Sequence, residues 1–185
     1  FSVRANSGSS WGRVMNIQDD ILIVDDDLPS LRLLTELLEK EGYQIRPTVK
    51  AQTAIDAAQA KPPSLILLDV RMPEIDGFEV CRCLKQDEGT QHVPIIFVSA
   101  LQDVEARVQG FEAGGVDFIT KPFQEQEILA RVKTHIRLHR LQQNLEQLVD
   151  ERTSKLNESR ASLKQKVREL EEAEYTTACT EACPA

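Results

Sequence analysis

Polar residues able to do chemistry stand where apolar runs end. ILIV (21–24) runs into Asp25, Asp26 and Asp27, and LILL (65–68) stops on Asp69. PIIFVSA (94–100) carries Ser99 near its end, and VDFIT (116–120) leads straight into Lys121-Pro122. Carboxylates crowded together raise one another's pKa unless a cation neutralises them. Three of them (Asp25, Asp26, Asp69) at an open edge suit Mg²⁺, with Mn²⁺ as the alternate. Mg²⁺ takes one or two carboxylates plus a phosphate oxygen and keeps several waters. Lys121 adds a movable point charge. Such a set fits phosphoryl transfer, with Asp69 as the nucleophile and Ser99 as a donor to a phosphoryl oxygen. Each piece alone also has an ordinary structural reading. Asp27 reads as a helix N-cap ahead of Pro29, Lys-Pro as a loop and Ser99 as a turn residue. Only their joint placement at successive strand ends argues for a site.

The elements that must position these groups follow from periodicity. Strands are expected at 21–24, 43–46, 65–69, 94–100 and 116–120. Helices are expected from Pro29 to Gly42, over 51–60, 77–86 and 102–113, and from about Gln124. In the first helix Leu31, Leu34, Leu37 and Leu38 share a face. Five strand–helix units with short apolar strands call for an α/β fold, a parallel sheet covered by helices on both faces. In such sheets ligands sit beyond the carboxyl ends of the strands, near a topological switch point. A rigid strand holds Asp69 in register better than a loop could. Met72-Pro73 and Asp76-Gly77 then turn the chain away into the next helix.

IVDDD (23–27), LLDVRMPEIDG (67–77), VSA (98–100) and GGVDFITKPF (114–123) together resemble the receiver domain of two-component response regulators. The resemblance implies a flavodoxin-like, doubly wound five-stranded parallel sheet. It implies that Asp69 accepts a phosphoryl group from a histidine kinase or histidine phosphotransfer protein. It also implies direct Mg²⁺ ligands in Asp26, Asp69 and the backbone carbonyl of Arg71, with Asp25 acting through a metal-bound water. Lys121 would pair with the phosphoryl group, Ser99 would be the switch hydroxyl and Phe118 the switch aromatic. The Lys121-Pro122 peptide would be cis. Phe118 lacks the hydroxyl of the commoner tyrosine. Arg71 and Leu101 occupy positions that tune dephosphorylation.

After Phe123 neither Pro nor Gly appears until Pro184, and a long C-terminal helix is expected. Leu138, Leu141, Leu145 and Leu148 follow a 3-4-3 spacing that Leu156, Leu163, Val167 and Leu170 resume. The slip between Leu148 and Leu156, with Arg152 at the seam, is a stutter that locally unwinds a supercoil. The expectation is a parallel homodimeric coiled coil of the signalling-helix type, leading toward an output domain absent from these residues. The alternative for this segment is a single solvated helix. His135 and His139, four apart, could share a helix face. Without a third ligand they read as surface or interface histidines. The expected divisions are a leader over 1–19, disordered or foreign to the natural start, a receiver domain over 20–137, a coiled coil over 138–174 and a disordered tail over 175–185.

Composition sets the outer limits. The 185 residues carry 22 basic and 30 acidic side chains, net −8, which argues against nonspecific nucleic-acid binding. No apolar stretch approaches a membrane span, and a cytoplasmic protein without membrane contact is expected. The four cysteines lack zinc-site spacing. The function expected is a phosphoacceptor module with no turnover beyond Mg²⁺-dependent self-phosphorylation and autodephosphorylation. An adaptor whose working part is the coiled coil is the alternative. A haloacid-dehalogenase-type phosphatase is remote, because that chemistry wants a second Asp where Arg71 stands.

Overall fold

The apolar runs become strands and the amphipathic segments between them become helices. The order is β1 (Asp20–Val24), α1 (Leu28–Lys40), β2 (Gln44–Thr48), α2 (Ala51–Ala60), β3 (Leu65–Asp69), α3 (Gly77–Gln86), β4 (Ile95–Ser99), α4 (Val104–Glu112), β5 (Asp117–Thr120) and α5 (Glu125–Glu181). This computed structural model describes residues 19–100 and 104–181, and side chains as far as residue 169. The expected leader up to residue 18, Leu101 and the last four residues lie outside the described residues, as does the side chain of Leu170.

All five strands are parallel, in the order β2-β1-β3-β4-β5. The order reverses between β1 and β3, so their carboxyl ends flank the switch point of a flavodoxin-like sheet. Side chains alternate across the sheet. Ile21, Ile23, Leu65, Leu67, Ile96 and Val98 face α1 and α5, where they meet Leu31, Leu34, Leu38, Ile128, Val132 and Ile136. Leu22, Val24, Ile66, Leu68, Ile95 and Phe97 face the other way, onto Ala54, Ala58, Val80 and Leu84. Burial on both faces explains why β3 reads as an unbroken apolar run. Each such aliphatic side chain contributes about 1.5–3 kcal/mol by leaving water.

Local signals set the helix starts. The Asp27 side chain accepts from the Ser30 backbone N–H at 3.1 Å, with Pro29 inside the first turn. Asp76 caps α3 by accepting from the Glu79 N–H at 2.7 Å. Several boundaries shift by a residue or two from the sequence reading, and β2 and the last helix run past their expected ends. β2 extends through Pro47 to Thr48, because Ile23 and Val24 of β1 continue the pairing. Proline fits there because β2 is an edge strand. The last helix runs to Glu181, beyond the expected end at 174. The described residues divide into two units, with the division between His139 and Arg140. Among the described residues no helix is long and apolar enough to cross a membrane.

Candidate functional site

β1 and β3, adjacent and parallel, end with their carboxylates side by side. One oxygen from each of Asp25, Asp26 and Asp69 lies within 4.8 Å of the others. Asp25 and Asp69 are buried, at 1% and 5% exposure, while Asp26 is open to solvent. Both Asp25 oxygens are engaged. Oδ1 accepts from the Asp27 N–H at 2.9 Å, and Oδ2 accepts from Lys121 Nζ at 2.7 Å. The same ammonium stands 3.4 Å from Asp69 Oδ1.

Lys121 arrives from the end of β5, whose register with β4 places Ser99 opposite Thr120. The Lys121 N–H donates to the Ser99 carbonyl at 2.9 Å. Ser99 is 1% exposed at the end of β4. The Lys121-Pro122 peptide is cis, as the resemblance implied.

Burial pushes the Asp69 carboxyl up to about 6; Lys121 opposes the rise, while Asp25 and Asp26 add to it. Lys121 moves the other way. Burial works against its charge, but the hydrogen bond to Asp25 and the nearby Asp69 outweigh that and raise its pKa. The site therefore carries excess negative charge in a half-dry setting. Its donors are all hard oxygens, clustered at one edge and partly open to water. A magnesium ion fits that donor set, and Asp26 and Asp69 are the oxygens left available beside Asp25.

The structure thus brings together Asp25, Asp26, Asp69 and Lys121, with Ser99 at the neighbouring strand end. Arg71 is exposed on the loop two residues past Asp69. Phe118 is on β5, 6% exposed, with its ring 5.0 Å from that of Phe97.

Gly77 was legible only as a turn residue. Its N–H donates to the Val70 carbonyl at 2.9 Å, and a Cβ there would lie 2.2 Å from the Asp69 carbonyl oxygen. The start of α3 thus presses against the backbone that carries Asp69. The Asp-Gly pair was the available signal, but a close approach leaves no mark in a sequence.

The two histidines of α5 go to separate partners. His135 Nε2 lies 3.1 Å from Asp117 Oδ2, beside Arg131, whose Nη1 donates to both Asp117 oxygens at 2.7 Å. His139 is buried rather than at the surface, and its ring stacks on that of His92 with centroids 5.6 Å apart. Cys81 is fully buried and donates to the Ala113 carbonyl at 3.3 Å; burial pushes its thiol up to about 11. Cys83 is exposed.

The family model described as response regulator receiver domain matches residues 21–133. Response regulator PleD of Caulobacter vibrioides is 43% identical over 114 residues, which cover 62% of this chain and 25% of that protein. The DNA-binding dual master transcriptional regulator RpaA of Synechocystis is 39% identical over 117 residues, covering 63% and 48%. The chain therefore spans only a quarter to a half of these curated relatives. Among solved structures, a putative response regulator from Chloroflexus aurantiacus is 34% identical with a TM-score of 0.62, covering 64% of this chain and 98% of that one. The signal receiver domain of a signal transduction histidine kinase from Syntrophus aciditrophicus is also 34% identical, with a TM-score of 0.60 and coverage of 64% and 90%.

Proposed function

This chain belongs to the response regulator receiver domain family of two-component signal transduction, and on that premise we propose that Asp69 is its phosphoacceptor. The donor would be a phosphohistidine on a histidine kinase or histidine phosphotransfer protein. One observation carries the reading: three carboxylates from two strand ends converge within 4.8 Å, with Lys121 reaching in from a third.

In the reaction an Asp69 carboxylate oxygen attacks phosphorus in line. The P–O bond forms as the P–N bond breaks, and the electron pair leaves on the imidazole nitrogen. Asp69 is largely ionised at neutral pH despite its raised pKa. Lys121 shifts from the aspartates toward the new phosphoryl oxygens, since its Nζ already lies between two carboxylates. The Ser99 hydroxyl donates to a phosphoryl oxygen, and Phe118 responds to that movement. Asp26, Asp69 and the Arg71 carbonyl would hold magnesium, with Asp25 acting through a bound water. When bound, the ion supplies positive charge against the phosphoryl oxygens.

The state of Phe118 passes the signal toward α5. We further propose that α5 joins two copies of the chain as a parallel coiled coil. That reading is supported by the exposed row Leu141, Leu145, Leu148, Leu156, Leu163 and Val167. A cytoplasmic location and the lack of direct nucleic-acid contact belong to the same proposal.

The test is labelling by radioactive acetyl phosphate with and without Mg²⁺. Wild type should take up one phosphoryl group only with the metal, and Asp69→Asn should take up none. Equal labelling of the two would overturn the assignment.

A further inference from the structure

We propose that Gly110 is a positioning residue for the switch aromatic. By lacking a Cβ, it opens the slot in which α4 accepts the buried ring of Phe118. A Cβ built on Gly110 would lie 2.3 Å from Cζ and 2.5 Å from Cε2 of Phe118, and 3.1 Å from Cδ2 of Phe97. Both close atoms belong to the Phe118 ring itself, so they cannot move without moving the ring. The wall behind the ring is equally fixed. Phe97 is fully buried, sits opposite Phe118 in the β4–β5 register and packs edge-on against Phe78 at 5.1 Å. Gly115 clamps Phe97 in turn, because a Cβ there would meet its ring at 2.4 Å. On the outer side Phe111, half exposed, closes the slot edge-on at 5.7 Å.

The glycine works against its own helix. In a helix interior glycine is less favourable than alanine, and Gly110 lies inside α4. Its φ is not in the left-handed region, so no backbone demand explains it. What explains it is the ring. Phe118 and Ser99 lie on the same face of the sheet, because Phe97, opposite Phe118, is two residues before Ser99 on β4. Phe118 has no hydroxyl to leave unsatisfied when buried. The size of the slot therefore sets how readily the ring stays inward. An alanine at 110 forces the ring to rotate out, which separates it from any movement of Ser99.

The inference rests on the phosphoacceptor reading only for its effect on labelling; the slot itself does not depend on it. The experiment is a double-mutant cycle in the full chain: wild type, Gly110→Ala, Phe118→Ala and both together. Thermal midpoints without phosphodonor report the contact. Gly110→Ala should lower the midpoint far more when residue 118 is Phe than when it is Ala, because the two closest contacts go with the ring and only the 3.1 Å approach to Phe97 remains. Should Gly110→Ala alone fail to fold, folding of the double variant supports the slot, and its failure overturns it.

Fluorophenylalanine labelling, with the residue 118 signal assigned through Phe118→Leu, reports the ring. Its solvent isotope shift should grow in Gly110→Ala. The rate of acetyl phosphate labelling should fall roughly three- to tenfold in Gly110→Ala, because the inward state is disfavoured. It should differ little between Phe118→Ala and the double variant. An effect of Gly110→Ala that has the same sign and size in both backgrounds overturns the proposal. Absence of labelling in wild type would instead refute Asp69 as phosphoacceptor, and the midpoints and fluorine shift would still decide the slot.

Discussion

Asp69 is held where it is useful at a cost to the fold. Its carboxyl is raised from 3.8 to about 6, first by burial and then by Asp25 and Asp26, against the pull of Lys121. A folded-state pKa above the unfolded value means that the folded protein binds the extra proton between about pH 4 and pH 6. That contribution is fully present below pH 4 and is lost as pH rises through 6. Asn cannot ionise, so metal-free Asp69→Asn should match wild type near pH 4 and exceed it at pH 7.5. Two pKa units correspond to roughly 3 kcal/mol; screening by water around the open Asp26 should reduce this to roughly 1–2 kcal/mol. Urea midpoints at the two pH values measure it. A variant less stable than wild type at pH 7.5 would show that Lys121 already neutralises the site. The residue types at this site were readable from the sequence because each chemical group ends an apolar run. The sequence did not reveal that Lys121 rests on Asp25 rather than on Asp69, since that choice depends on distances of 2.7 and 3.4 Å.

At the scale of elements, the weak strand β2 is held by an arginine. Arg46 Nε donates to Asp20 Oδ1 at 2.9 Å, Nη1 to the Ala57 carbonyl at 3.0 Å and Nη2 to the Lys61 carbonyl at 2.9 Å. One planar fork thus joins β2 to the start of β1 and to the C-terminal end of α2, where the Ala57 carbonyl also accepts from the Lys61 N–H. Asp20 keeps a second cation, Lys61 Nζ at 3.2 Å. Arg46→Ala should therefore cost about 2 kcal/mol, below the range for breaking a fully buried pair. Arg46→Lys should recover less than half, because a single ammonium nitrogen cannot reach three acceptors that three guanidinium nitrogens now meet. Chemical denaturation checks both, and a full recovery with lysine would reduce the role to charge alone. The edge position of β2 also explains why its C-terminal end was harder to read from the sequence. Gln44–Thr48 is partly to fully exposed and carries no clean period, and Pro47 lacks the N–H of a regular ladder residue. β3 and α2 were legible to the residue, one as a two-sided apolar run and the other as an alanine stripe between Lys50 and Pro62. The slot of Gly110 was invisible because it depends on a ring from β5 meeting a helix turn eight residues earlier in the chain.

At the scale of the whole molecule, the second unit is helical and none of its described side chains is buried. Leu145, Leu156 and Leu163 are 62%, 70% and 61% exposed. On the polar faces Gln142–Glu146, Gln147–Glu151 and Gln165–Glu169 hydrogen bonds run along the helix, at spacing i,i+4. Each such pair contributes only about 0.2–0.5 kcal/mol, and most helical stability in proteins comes from packing an apolar face. A second copy in parallel register would cover the leucines, each burial contributing about 1.5–3 kcal/mol. Arg152, at the stutter, would still have to keep its charge in water. Sedimentation should therefore show a dimer whose helical ellipticity depends on concentration. Leu145→Lys combined with Leu163→Lys should give monomers with reduced ellipticity, while acetyl phosphate still labels Asp69. Arg152→Leu should shift the dimer equilibrium the other way, tightening it by about tenfold for roughly 1.4 kcal/mol gained. A wild-type chain that sediments as a monomer at every concentration, or a double-lysine variant that remains dimeric, would remove the coiled coil from the account and leave the receiver unit untouched.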